Sequence, residues 1–162
     1  AKTDPEAVLD RLAAWEAAET QAAPERAWMR RHALRTLIKD GHAGAMAMLG
    51  YAQDTTVEAS LDVATGQVAL GEALTFTVTL NADQHLPVIV DYRIRFARPG
   101  GKSAEKVFKL KVAELRAGKP LVIKKVHKLK ANATTFELHP GAHGLVVQVN
   151  GVDRAEGQFE IL

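Results

Sequence analysis

Beyond Tyr51 the apolar residues recur at every second position, and that period leaves few folds open. Leu74, Phe76, Val78 and Leu80 alternate with Thr75, Thr77 and Thr79, and Ala59, Leu61 and Val63 alternate with polar neighbours. Successive side chains of a strand point to opposite faces, so such runs describe sheets with one face buried and one wet. Further strand runs span Leu86 to Ala97, Lys106 to Leu115, Leu121 to Lys130, Leu145 to Val149 and Gly157 to Leu162. Turn residues separate them, among them Thr65-Gly66, Pro99-Gly100-Gly101, Ala117-Gly118, Pro140-Gly141 and Asn150-Gly151. Connections this short make the strands antiparallel, and about seven strands in roughly 110 residues describe a β-sandwich of immunoglobulin type over residues 52–162. Such sandwiches often carry a corner residue that bonds back to the chain, and His143 is the candidate for it here.

Before Tyr51 the spacing is helical. Asp4-Pro5 opens a helix with Val8, Leu12 and Trp15 in phase. Pro24 opens a second, to about Asp40, in which Ala27, Leu34, Leu37 and Ile38 share a face and Gly41 is the stop. AGAMAMLG makes a short third. Helices draw most of their stability from packing an apolar face, and so short a set buries little by itself. Residues 1–51 are therefore expected to be the terminal unit of a longer helical array, packed against a preceding repeat.

Several function classes fall away. No run approaches the roughly 18 apolar residues of a membrane span. The first residues, AKTDPEAVLDRLAAW, lack a signal-peptide pattern, so no membrane partner and a cytoplasmic location are expected. The chain has no cysteine, which removes disulfides, thiolate metal sites and thiol nucleophiles. His139 and His143 have the spacing of a helical metal pair, but Pro140-Gly141 forbids a helix between them. No phosphate loop or nucleophile elbow occurs, and Asp10, Glu16, Glu19 and Asp40 sit at ordinary solvated helix positions. No metal, cofactor or catalytic residue is expected on this chain.

Charge is the remaining clue. Thirteen of the fourteen basic residues after Gln53 lie between Arg93 and Lys130, against only Glu105 and Glu114, so this third of the sandwich carries +11 and the rest of it −9. If Val88, Val90, Tyr92, Ile94 and Phe96 face inward, Arg93 and Arg95 face outward. Lys109 and Lys111 alternate with Phe108, Leu110 and Val112 in the same manner. Lys106 precedes them, and Arg98 and Lys102 flank the glycine-hinged tip. In LVIKKVHKLK either Ile123 with Leu129 or Val122 with Val126 can face inward, which leaves Lys124, Lys125, Lys128 and Lys130 without an assigned face. A few lysines protect sheet edges from aggregation, but an imbalance of this size suits a phosphate backbone better. On the second helix Arg31, Arg35 and Lys39 form a further basic stripe beside Trp28.

RRHALRTLIKDGHAGAMAMLGY, Arg30 to Tyr51, followed by VDYRIRF, KVFKLK, HPGAH and VQVNG, resembles the carboxy-terminal part of AlkC-type DNA alkylation repair glycosylases. That resemblance implies a mainly β chain with an N-terminal α segment, a terminal HEAT-like repeat (1–51) followed by an Ig-like antiparallel sandwich (52–162). It implies hydrolysis of the N-glycosidic bond of cationic bases such as 3-methyladenine by carboxylates and aromatic residues on earlier repeats. Alkylation makes the base a good leaving group, so the enzyme mainly supplies negative charge near the developing sugar cation. The expected partners are the phosphate backbone of double-stranded DNA and the upstream repeats of the same protein. The alternative is a protein-interaction module that binds an acidic partner or docks on its own repeats.

Overall fold

The structure, a computed structural model, describes residues 4–18, 23–130 and 137–162. The Thr/Leu alternation folds into β3 (Ala73–Ala82), with Leu74, Phe76, Val78 and Leu80 fully buried. This strand lies between β1 (Val57–Val63) and β6 (Leu121–Lys128) in a three-stranded antiparallel sheet. The second sheet has the order β2 (Gln67–Val68), β8 (Val152–Ile161), β7 (Gly141–Val149), β4 (Leu86–Ala97) and β5 (Ser103–Leu115). Among the described residues only the two-residue β2 pairs in parallel, with β8. Val88, Val90, Tyr92, Ile94 and Phe96 of β4 meet the inner face of β3 in one core, so the outward parity of Arg93 and Arg95 holds. β7 and β8 begin earlier than their apolar runs, because ladder hydrogen bonding continues where the side-chain alternation is interrupted.

The helices are α1 (Pro5–Ala18), α2 (Ala23–Ala33), α3 (Arg35–Lys39) and α4 (Ala43–Met48). Asp4 caps α1 by accepting the Ala7 N–H at 3.0 Å. The single helix expected from Pro24 to Asp40 is divided at Leu34. The Leu34 N–H still reaches the Arg30 carbonyl and the Ile38 N–H the Leu34 carbonyl, so the helical path continues through the break. Leu9, Leu12, Leu34, Leu37, Ile38, Ala45 and Met46 form a second core that closes on Ile89 of β4. Ile89 is out of phase with the inward row, so the helices lie on the outer face of the five-stranded sheet. Their apolar face thus has a partner within this chain.

A joint fixes the two parts together. Gly41 and Gly151 both take positive φ, and a Cβ on Gly151 would sit 2.6 Å from the Gly41 Cα. The Gln53 amide donates to the carbonyls of Gly41 (3.0 Å) and Asn150 (2.8 Å). Asn150 Nδ2 donates to the Ala52 carbonyl at 2.7 Å, and its Oδ1 accepts the Ile89 N–H at 2.8 Å. Arg154 donates to the carbonyls of Gln53 and Thr55.

His143 is the corner residue. Buried between Phe96 and Phe159, it accepts the Ala97 N–H on Nδ1 at 3.0 Å and so donates from Nε2 to the His139 carbonyl, also 3.0 Å away. A second, half-buried imidazole, His127, bridges the sheets. Burial pushes the Tyr92 hydroxyl up to about 12, so it stays protonated and donates to His127 Nδ1 at 2.7 Å. Burial holds both rings below the ordinary 6.5, helped at His127 by Lys125 and opposed at His143 by its bond to the His139 carbonyl. A depressed imidazole pKa means that the unfolded chain binds protons first. Its stabilising contribution is therefore complete above 6.5 and lost as pH falls through the folded-state values. Melting temperature should drop on acidification from neutrality, and His127→Gln with His143→Gln should flatten that drop. An equal acid slope in the double variant would show that neither ring carries it.

Candidate nucleic-acid interface

The basic residues do not share one sheet face. Arg93 and Arg95 point outward from β4, but acids brought alongside by folding neutralise them. Arg93 pairs with Asp153 at 2.7 Å and Glu105 at 3.4 Å, and Arg95 with Glu105 at 2.9 Å and Glu156 at 3.8 Å. The Arg95 stem passes over Gly144 of β7, where an added Cβ would just touch it, 3.4 Å from Arg95 Cβ. Asp153 and Glu156 belong to β8, far along the sequence from the basic run.

The expectation that Lys109 and Lys111 share the outer face needs correction. The register shifts between Val90 and Asp91, so Lys109 faces Asp91 on the outer side while Lys111 falls opposite Val90. Leu110 is the extra residue of this β-bulge, and beyond it Val112 comes opposite Ile89, on the outer side and half exposed. Lys111 projects from the open edge of the sheet instead.

Strand β6 resolves the other ambiguity. Ile123 and Leu129 are buried, whereas Val122 and Val126 are 59% and 58% exposed. Lys124 and Lys128 therefore take the outer face of the three-stranded sheet, opposite Thr77 and Ala73. Lys125 has the inward parity, opposite Phe76, and is half-buried at the sheet edge. β5 and β6 are the open edges of their sheets, and they meet on one side of the sandwich, where His127 packs edge-on against Phe108. There Lys106, Lys128 and Lys130 surround a hollow of about 210 Å³ with Phe96 and Phe108. Arg98 and Lys102 flank the Pro99–Gly101 turn, closed by the Arg98 N–H on the Lys102 carbonyl at 2.9 Å.

The most defined feature is a groove of about 520 Å³ between the helices and the outer sheet face. Arg31 of α2, Arg35 and Lys39 of α3 and Lys109 of β5 line it, with Tyr51, Leu49, Val107 and Val112 as its apolar wall. Among the described residues these four cations make no direct ion pair. Asp91 lies in the same groove, 6% exposed, and sequence reading passed over it. Burial raises its carboxyl pKa above the ordinary value, while Lys109 pulls it down. The helical stripe and β5 thus converge on one site. Trp28 stays outside it, 60% exposed and stacked on His32 at 5.1 Å. No cluster able to hold a metal ion occurs among the described residues, and no described helix is long and apolar enough to cross a membrane.

A family model described as "Uncharacterised protein YhaZ, C-terminal Ig-like domain" matches residues 57–162. The chain belongs to this family. Protein YhaZ of Bacillus subtilis (strain 168) is 28% identical over 139 residues, which cover 85% of this chain and 39% of that protein. The alkylpurine DNA glycosylase AlkC of Pseudomonas fluorescens, solved bound to DNA containing an abasic site analog, superposes with a TM-score of 0.89 at 33% identity. That match covers 99% of this chain and 44% of AlkC, so it takes in the helices as well as the YhaZ-type sandwich. A β-glucosidase from Listeria innocua shares the sandwich fold alone, with a TM-score of 0.56 at 16% identity over 70% of this chain and 17% of its own. The chain spans less than half the length of YhaZ and of AlkC.

Proposed function

We propose that this chain is the DNA-holding carboxy-terminal portion of a glycosylase that excises alkylated bases such as 3-methyladenine, and that it grips the phosphate backbone of duplex DNA. The observation that carries this reading is the groove in which Arg31, Arg35, Lys39 and Lys109 converge with no direct ion pair among the described residues, against the single carboxylate of Asp91 in its lining. Cations held in this manner release condensed counterions from DNA, which gives affinity without sequence preference. Lys102, Lys106, Lys124, Lys128 and Lys130 extend the positive surface around the sandwich. Arg93 and Arg95 contribute less, because Asp153, Glu105 and Glu156 already neutralise them. The likeness to AlkC over both parts supports the same assignment. In this reading residues 1–51 are the terminal HEAT-like repeat, 52–162 the Ig-like domain, and the protein works in the cytoplasm beside further repeats.

The carboxylates that stabilise the sugar cation belong, in this reading, to those repeats. The isolated chain is accordingly expected to bind random-sequence duplex in a salt-dependent manner and to release no 3-methyladenine from methylated DNA beyond the spontaneous rate. Release clearly above that background, from a preparation free of host glycosylases, would place the chemistry on this chain. Binding that ignores salt would instead favour a protein partner.

A further inference from the structure

Asp91 is a carboxylate in the wrong place for a surface built only to attract anions. It sits on β4 between Lys109, its cross-strand neighbour on β5, and Gln148, its neighbour on β7. Arg31, Arg35 and Lys39 line the groove from the helical side, together with Tyr51. Arg93, two residues along β4, is occupied by Asp153 and Glu105, and the Gln148 amide donates to Asp153 at 2.7 Å. No hydrogen bond to the Asp91 carboxylate is found among the described residues, so one buried negative charge has Lys109 beside it on the sheet and three cations across the groove. A single buried charge without a close partner is costly. Here the surrounding cations offset that cost, and the carboxylate offsets their mutual repulsion.

We propose that Asp91 holds the place of a phosphate: it competes with an entering phosphate group for Lys109 and the helical cations and so sets the affinity of the groove. The inference rests on the DNA reading for its natural ligand, a phosphodiester, but the anion site itself does not. When a phosphate enters, two negative charges would share one site, and the weaker acid takes up a proton from solvent. Burial already raises the proton affinity of Asp91, against the opposing pull of Lys109. Anion binding therefore draws in a proton and tightens as pH falls.

The test is calorimetric titration of the whole chain and of Asp91→Asn with a random-sequence duplex and, separately, with inorganic pyrophosphate. Titrations of the duplex, whose phosphodiesters stay ionised throughout, in buffers of different ionisation enthalpy count the protons taken up, and pyrophosphate serves for affinity alone. Asn keeps the shape and removes the charge, so Asp91→Asn should bind both probes about tenfold more tightly, the effect of removing one like charge at close range. Proton uptake should be smaller in Asp91→Asn. His32 and the other histidines remain in both proteins, so this difference isolates residue 91. Equal or weaker binding of both probes by Asp91→Asn, or equal proton uptake, would overturn the proposal while leaving salt-dependent DNA binding by the wild-type chain intact. Tightening for pyrophosphate without any binding of duplex would keep the anion site and discard the DNA reading. Binding of neither probe by either protein would overturn both. Should Asp91→Asn fail to fold, the wild-type proton count decides, since a value of zero is incompatible with a displaced carboxylate.

Discussion

Alanine at both Arg35 and Lys109 is expected to flatten the dependence of log affinity on log salt by about two units, from a wild-type slope of about −4 to −5. That slope corresponds to about four to six phosphates engaged, at roughly 0.9 counterion released per contact. Arg35 stands on α3 and Lys109 on β5, so the pair samples both walls of the groove. Neither makes a direct ion pair among the described residues and exposed cations add little to folding, so the melting temperature should fall only modestly, the loss coming from the compensation that Lys109 gives buried Asp91. DNA of every sequence should weaken alike, which separates phosphate contact from base reading. Arg11→Ala is the control, because Arg11 lines a different hollow, on α1. A slope unchanged in a folded double variant would mean that the groove does not meet DNA, and would turn attention to an acidic protein partner.

The largest effect on stability is expected from Gly151→Ala. The left-handed conformation alone costs a residue with a Cβ roughly 1–2 kcal/mol. The added methyl would also lie 2.6 Å from Gly41 Cα, a backbone atom that can retreat only if the helices move. Hydrogen exchange should show the amides of α3 and α4 losing about a hundredfold in protection while β3 and β4 keep theirs, because local opening and global unfolding are separate events. Gly118→Ala isolates the conformational part, since Gly118 has φ +66° and open space around it. Undiminished protection of α3 and α4 in Gly151→Ala would show that the Gly41 contact does not hold the helices down.

The sandwich was legible because β3 and β4 each have one face in the core, and Leu74 to Leu80 and Val88 to Phe96 say so at every second position. The site was legible only in part. Arg31, Arg35, Lys39 and Lys109 could be named, yet no local pattern says that α3 and β5 face each other across a groove. One signal was present: Ile89 is apolar in the outward phase of β4, which marks a second buried face. Lys111 went astray because an extra residue in a ladder, Leu110, has no local signature when its neighbours alternate smoothly. Charge counted along the chain misjudged Arg93 and Arg95, since a sheet places β8 and its acids within reach of β4 whatever their distance in sequence.

The backbone contact of Gly41 with Gly151 makes the groove a gauge. Arg31, Arg35 and Lys39 on one wall and Lys109 on the other stand on a single frame, so fixing one row against the other loses its entropy once, during folding, and not again on association. An entering polyanion finds a width already set. To the extent that this contact holds the walls apart at one distance, the groove sorts ligands by the spacing of their charges as well as by their number, and a flexible chain of phosphates must meet that spacing at its own entropic expense.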